Sequence, residues 1–111
     1  MNRKGICFKV KSEKIAEYKE RHDAVWEELL EALRRHGWRN YSLFMRGDGL
    51  VFGYFEPVES YEASVAGVEA EEIDKKWKEW NKSHFEPTRF ETLDSWIEGH
   101  VIELEEVFHL D

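Results

Sequence analysis

The feature that most restricts the fold of this chain is an amphipathic stretch between Ser12 and Gly37. Apolar and aromatic residues recur there every three or four positions, which at about 100° per residue places them on one side of a helix, opposite an acidic side. This stripe consists of Ile15, Tyr18, His22, Val25, Leu29 and Leu33. Ser12 is a suitable N-cap, and Gly37, which follows two arginines and a histidine, is a suitable stop. The sequence therefore predicts one long helix that packs its striped side on the core.

Strand-like runs lie on both sides of this helix. They occupy residues 3–11, 38–45, 50–55 and 101–110. The first run alternates, so that Ile6, Phe8 and Val10 share one face. The second and third runs are rich in aromatic residues and are joined by Arg46-Gly47-Asp48-Gly49, whose glycines permit the positive φ angles of a hairpin. We therefore expect four strands, two of them paired directly as a hairpin.

A second helical region is predicted after the hairpin. Ser60 can cap its start. Its apolar and aromatic positions are Tyr61, Val65, Val68, Ile73, Trp77 and Trp80. The stretch from Gly67 to Glu72 interrupts the pattern and predicts a kink or a loop. Residues 87–99 are typical of a loop, with one helical turn expected around 93–97.

The order of these elements predicts the fold class. It is β-α-β-β-α-β, which is typical of a single α+β domain, here residues 1–111, with a ferredoxin-like antiparallel sheet and its helices on one face. The strands carry apolar residues on both sides, and the chain has no further helices to cover the second face. Most soluble oligomers are symmetric dimers. We therefore expect a homodimer in which two sheets pack face to face.

Charge and composition exclude several classes of partner. With 24 acidic against 16 basic residues and a net charge of -8, the chain lacks the cation clusters that nucleic acids require. The acidic run of Glu69, Glu71, Glu72 and Asp74 is typical of a solvated helix face. No run approaches the roughly 20 apolar residues of a membrane span, and no signal-peptide pattern is found. Cys7 is the single cysteine, so no intrachain disulfide can form. We expect a soluble cytoplasmic protein that binds neither nucleic acid nor membranes.

Two polar side chains lie on the inward face of the first predicted helix. Tyr18 and His22 are four residues apart, which on a helix brings their Cβ atoms to about 5 to 6 Å. Histidine is the side chain that titrates nearest neutral pH, so it can act as an acid or a base. Taken alone, a histidine at the edge of the core, bonded to the backbone, is the more ordinary interpretation. The other four histidines show no spacing typical of a metal site, and we expect no bound metal.

A set of short segments, in register over nearly the whole chain, carries a family resemblance. The segments are Arg3-Lys4, Glu17-Tyr18, Arg21-His22, Trp26 with Glu28-Leu29, His36-Gly37, Asn40-Tyr41, Lys76-Trp77-Lys78 and residues 103–108. None is specific alone, but together they resemble the L-rhamnose mutarotase family. The resemblance implies a dimeric α+β barrel of ferredoxin-like domains that interconverts the anomers of L-rhamnose without a cofactor.

The resemblance also implies roles for individual residues. The family's proton donor falls on His22, and its sugar-contacting tyrosines fall on Tyr18 and Tyr41. Where the family has two adjacent tryptophans, this chain has Lys76 followed by Trp77. Trp77 is expected to offer a flat apolar wall to the sugar, with Lys76 beside it. An ammonium in place of an indole implies that the preferred sugar can differ from L-rhamnose, for example by being more oxidised.

Two other functional classes are compatible with this fold. Dimeric α+β barrels of this size also include cofactor-free monooxygenases and small haem-degrading enzymes, in which a histidine and tryptophans line the pocket. The third class is a non-catalytic module that holds a metabolite, with His22 serving only as a hydrogen-bond partner. The match around Tyr18, His22, Asn40 and Tyr41 favours mutarotation over both.

Overall fold

The fold consists of an antiparallel sheet and two helical segments that connect its strands. The computed structural model describes residues 2–86 and 101–111. The strands and helices of this part are β1 (Lys4–Val10), α1 (Ile15–His22), α2 (Glu27–Arg35), β2 (Ser42–Met45), β3 (Leu50–Phe55), α3 (Tyr61–Glu69), α4 (Glu72–Asn81), β4 (Phe85–Glu86) and β5 (Ile102–Leu104). Single 3-10 turns, Ser12–Lys14 and Lys82–His84, precede α1 and follow α4. The predicted helical turn at 93–97 lies outside the described residues.

The strand order confirms the predicted ferredoxin-like α+β fold. The sheet runs β2-β3-β1, and the remaining edge of β1 is shared by β4 and β5, with every pair antiparallel. β4 pairs with Lys9 and Val10, whereas β5 pairs with residues 5–7. The last strand was expected to span 101–110, and that extent is wrong. β5 ends at Leu104 opposite Gly5, and residues 105–111 are not part of a strand.

The prediction of one long helix over 12–37 is wrong, because the helix breaks between His22 and Glu27. Trp26 adopts an extended ψ of 130° and its carbonyl accepts the first hydrogen bonds of α2. Its indole stacks on Trp80 with ring centroids 5.3 Å apart, so the break turns this side chain toward α4. Ser12 lies inside a 3-10 turn that the chain enters at Lys11, and so it is not an N-cap.

The predicted end of this region is confirmed at Gly37. Its φ is +83°, the left-handed conformation that glycine adopts most easily. The amides of Gly37 and Trp38 donate to the carbonyls of Arg34 and Leu33 at 3.1 and 3.0 Å, the pattern of a Schellman motif. This motif turns the chain sharply from α2 toward the sheet.

The hairpin and the second helical region also form as predicted, with small differences. β2 begins at Ser42, later than expected, and the hairpin turn has Gly49 at a φ of +97°. Ser60 caps α3, since its hydroxyl accepts a hydrogen bond from the amide of Ala63 at 3.0 Å. The expected kink is a break between α3 and α4. Among the described residues, no helix is long and apolar enough to cross a membrane.

The two faces of the sheet differ in exposure. Ile6 and Val10 of β1 face the helices and are 0% exposed. The opposite side, called the outer face below, includes Cys7, Phe52 and Phe44, which are cross-strand neighbours in β1, β3 and β2. Phe44 and Phe52 remain 60% and 46% exposed. The helices among the described residues therefore cover the inner face of the sheet and leave these two side chains half-exposed.

Candidate active site

A cavity of about 370 Å³ lies between the inner face of the sheet and the helices. Its walls are mostly leucine, valine and aromatic side chains contributed by α1, α2, α4 and the sheet. Its polar lining consists of Tyr18, His22, Tyr41, Asp74, Lys78 and Asn81. A mostly apolar hollow with a few convergent polar groups is the usual form of a site for a small molecule.

His22 and Tyr18 line this cavity as a stacked pair. Their ring centroids lie 4.0 Å apart with the planes inclined by 26°. The Nδ1 atom of His22 lies 2.9 Å from the backbone carbonyl oxygen of Tyr18. Because a carbonyl oxygen can only accept, Nδ1 carries the hydrogen, and in the neutral ring Nε2 holds the lone pair. The helix thus fixes both the tautomer and the orientation of the imidazole.

The surroundings favour uncharged forms of the ionisable rings. Burial lowers the pKa of His22, although the hydrogen bond to the carbonyl of Tyr18 opposes this effect. Burial also raises the pKa of both Tyr18 and Tyr41 well above the usual range for a phenol. At neutral pH the site therefore holds a neutral imidazole, which can accept a proton, and two phenols that keep their hydrogens.

α4 supplies the facing wall. Asp74, Trp77, Lys78 and Asn81 have the spacing i, i+3, i+4 and i+7, which places them on one side of the helix. The indole of Trp77 meets the ring of His22 edge to face at a centroid distance of 5.4 Å. The Lys78 ammonium lies 2.7 Å from Oδ2 of Asp74, which is only 5% exposed. Burial raises the pKa of Asp74, and the ion pair with Lys78 opposes the rise.

Arg21 ties α1 to α4 at the edge of the cavity. Its Nη1 donates to the carbonyl of Trp80 at 2.8 Å and to Oδ1 of Asn81 at 3.0 Å. Its guanidinium also lies over the Trp80 ring, 3.8 Å from the centroid, and pairs with Glu17 at 2.6 Å. Glu17 in turn contacts Nε2 of the fully buried His84 at 3.0 Å. These contacts fix the helix that carries His22 against the helix that carries Trp77.

The structure brings together four of the five residues that the sequence singled out. Tyr18, His22, Tyr41 and Trp77 all line the cavity. Lys76 does not, because it lies on the exposed side of α4, about 100° around the helix from Trp77.

Sequence reasoning missed Asp74, Lys78 and Asn81 as lining residues. Asp74 had been assigned to a solvated acidic run, and that assignment is wrong because the residue is buried. Its spacing of three from Trp77 was the signal that could have placed it inside. Within residues 2–86 and 101–111, no group of three or more histidine, cysteine or acidic side chains could hold a metal ion.

The cavity thus brings together a neutral imidazole with an available lone pair, two protonated phenols and a buried carboxyl group, which are the groups that an acid-base enzyme requires. Comparison with known proteins identifies which kind. Residues 3–110 match the family model for L-rhamnose mutarotase, and the chain belongs to this family. It is therefore a sugar mutarotase, an isomerase that acts on carbohydrates.

Individual relatives agree with the family model over the full length. The chain is 34% identical to the L-rhamnose mutarotase of Bacillus subtilis and 33% identical to that of Oceanobacillus iheyensis, with both chains covered completely in each case. The crystal structure of an L-rhamnose mutarotase from Formosa agariphila superimposes with a TM-score of 0.78 at 26% identity, again over all of both chains. These matches favour the isomerase over the oxygenase, haem-degrading and non-catalytic alternatives.

Proposed function

We propose that this protein interconverts the α and β pyranose anomers of L-rhamnose or a closely related sugar, with His22 exchanging the proton of the anomeric hydroxyl. The observation that carries the proposal is the orientation of His22. Its Nδ1 atom is held by the carbonyl of its own helix, and the ring lines the cavity. Nε2 is then the nitrogen with a lone pair for the sugar.

The chemistry requires little beyond positioned proton carriers. A pyranose opens when a base removes the proton of the anomeric hydroxyl and an acid protonates the ring oxygen, and it closes on the other face of the aldehyde after rotation. A positioned acid or base contributes roughly 10²- to 10⁴-fold to such a step. Tyr18 and Tyr41, kept protonated by burial, supply hydroxyl groups that orient the sugar. Trp77 offers an apolar wall to its C–H groups.

The position of Lys76 bears on which sugar is preferred. Its ammonium was the reason to expect a more oxidised substrate, but the residue is exposed and does not line the cavity. The lysine that does line it, Lys78, is paired with Asp74 at 2.7 Å and with Glu69 at 3.6 Å. A uronate would therefore meet a lysine that already has two acidic side chains as neighbours. We expect faster anomer exchange for L-rhamnose than for a uronic acid in a panel that also contains L-fucose, L-mannose and L-lyxose.

Replacement of His22 tests the proposal directly. We expect His22→Ala to reduce anomer exchange of L-rhamnose to the uncatalysed rate, as measured by saturation-transfer NMR, while the circular dichroism spectrum stays unchanged. His36→Ala is the matched control, because His36 bonds to Glu71 at 2.7 Å and does not line the cavity. Exchange by His22→Ala at the rate of the unmodified protein would remove His22 from the mechanism.

We also propose that the active form is a homodimer of single-domain subunits, packed through the outer faces of their sheets. Support comes from Phe44 and Phe52, two half-exposed aromatic side chains that lie next to each other on neighbouring strands of the sheet. Large exposed apolar patches on a folded domain usually mark a contact surface. A second copy presents the same patch, so a symmetric dimer would bury the apolar surface of both subunits.

We further propose that the enzyme is cytoplasmic. Its single cysteine, Cys7, is buried in β1 and is a free thiol, which is compatible with a reducing compartment. Fractionation of cells that express a tagged form would check this location, and recovery of the protein outside the cytoplasm would contradict it.

A further inference from the structure

The pair formed by Asp74 and Lys78 has no part in the mechanism described so far, although both residues line the cavity. Asp74 is 5% exposed, and the Lys78 ammonium lies 2.7 Å from its Oδ2 atom. Carboxyl groups are rarely buried this completely unless they are paired or functional. Lys78 also reaches Glu69 of α3, 3.6 Å away, so its charge is shared between the inner carboxyl and one nearer the surface.

Asp74 lies nearer the start of α4 than the residues of this helix that meet α1. On α4, Trp77 touches the ring of His22 and Asn81 is bound by Arg21 of α1. Asp74 lies three residues further from that end, about 4.5 Å along the helix axis from Trp77. The charge of Asp74 helps to raise the pKa of Tyr41. The charges that shift the pKa of His22 come from His84 and Asp23 instead. A sugar in the cavity would therefore lie between the imidazole and the carboxyl group.

Ring opening needs two proton carriers, and the structure leaves few candidates for the second. His22 has one nitrogen to offer, since Nδ1 is bound to the carbonyl of Tyr18. Both atoms of the Asn81 amide group are engaged, with Arg21 and with the carbonyl of Trp77. Among the described residues that line the cavity, the other ionisable groups are the two phenols, which stay protonated, and the pair of Asp74 with Lys78.

We propose that Asp74 is the second proton-transfer group of the mutarotase reaction and that Lys78 is its positioning residue. The inference rests on the proposed function. In the opening step the Asp74 carboxylic acid gives its proton to the ring oxygen as the bond from that oxygen to the anomeric carbon breaks. Nε2 of His22 takes the proton of the anomeric hydroxyl, and the aldehyde carbonyl forms. The new Asp74 carboxylate faces the Lys78 ammonium.

Closure returns both protons. The aldehyde rotates about the bond to the neighbouring carbon, and the sugar hydroxyl that was the ring oxygen attacks its other face. That hydroxyl gives its proton back to the Asp74 carboxylate, and the His22 imidazolium gives its proton to the new anomeric oxygen. The enzyme ends in its starting state, and each group acts once as an acid and once as a base. His22 is thus the proton donor in the closing half of the cycle.

The surroundings move the two groups in the directions that this cycle requires. Burial raises the pKa of Asp74 and lowers the pKa of His22, which are the directions that suit the acid and the base of this cycle. The groups that face Asp74 are Lys78 with Glu69 beyond it, and the phenol of Tyr41. The groups that face His22 are Tyr18, Asp23 and His84.

The pH dependence of anomer exchange in Asp74→Asn tests the inference. The unmodified protein should show a bell-shaped profile with L-rhamnose. Asp74→Asn should exchange at least about 100-fold more slowly. Because only the base at His22 then titrates, its residual rate should rise with pH to a plateau without the alkaline decline. Glu72→Gln is the matched control, since Glu72 lies on the exposed side of α4 and should leave the rate and profile unchanged.

Lys78→Met provides an independent variant if Asp74→Asn fails to fold. Without the ammonium the carboxylic acid should hold its proton more tightly, so the rate should fall and the midpoint of the bell should move to higher pH. If Lys78 mattered only for folding, Lys78→Met would lower the rate of exchange without moving the pH profile. That result would overturn the inference. The inference would also be overturned if Asp74→Asn exchanged the anomers at the rate of the unmodified protein. It would be overturned equally if Asp74→Asn were slower but its pH profile kept the alkaline decline. Absence of exchange by the unmodified protein would remove the proposed function together with this inference.

Discussion

Phe52→Ser tests the proposed dimer and has a magnitude that follows from the structure. Phe52 is 46% exposed on the outer face. A phenylalanine side chain has roughly 200 Å² of surface, so about 90 Å² per subunit remains to be covered. In a symmetric interface both copies are buried, and at about 25 cal/mol per Å² their loss weakens association by about 4 to 5 kcal/mol. The dissociation constant of the dimer should rise by at least about a thousandfold.

Sedimentation velocity over a dilution series measures this change. The variant should remain folded, because nearly half of the side chain is already exposed in the single subunit, and it should sediment as a monomer at micromolar concentration. Val58→Ser is the matched control, since Val58 is 64% exposed but lies outside the strands. A dissociation constant that is unchanged by Phe52→Ser, or an unmodified protein that is monomeric at tens of micromolar, would refute the assignment of the outer face as the interface.

Three further predictions concern the cavity and its support. Trp77→Ala should lower kcat/KM for anomer exchange about tenfold or more through lost apolar contact, whereas Lys76→Ala, on the exposed side of the same helix, should change it less than about twofold; equal effects would contradict the orientation of α4. Gly53→Ala should lower the free energy of unfolding by about 1 to 3 kcal/mol in chemical denaturation, because the new Cβ would lie 2.7 Å from a side-chain carbon of Ile6. A Cβ at Gly47 would have nothing within 4 Å, so Gly47→Ala should leave the free energy of unfolding unchanged. Folding lowers the pKa of His22, so as the pH falls the unfolded chain binds a proton at this residue before the folded chain does. The free energy of unfolding should therefore decrease as the pH drops below about 6.5. His22→Gln should lack this part of the decrease.

The sequence carried most of the fold because its signals are local. The alternation in β1, the cap at Ser60 and the glycine stop at Gly37 each depend on side chains a few residues apart, and all three form as predicted. The helix break before Glu27 could not be read in the same way. The stripe keeps its period across the break, because α1 and α2 both pack on the core, and the contact that turns Trp26 away comes from Trp80, far along the chain.

The residues of the candidate site also differ in how far they could be predicted from local sequence. Tyr18 and His22 were visible because one helical turn joins them, and Tyr41 and Trp77 were supplied by the family resemblance. Asp74 was missed because its burial depends on the way α4 packs against α2 and α3, and the surrounding acidic residues made a solvated face the natural interpretation. Lys76 was placed beside the sugar by its neighbour in sequence, although adjacent residues on a helix point in different directions.

The bond from His22 to the carbonyl of Tyr18 has a consequence for how this enzyme can change. Both atoms belong to α1, so the aim of the imidazole is internal to one turn of helix. The leucines that shape the hollow belong to α2 and β2. Substitutions there can admit a sugar of different bulk while the proton-transfer machinery keeps its alignment, which separates selectivity from reactivity within a very small protein.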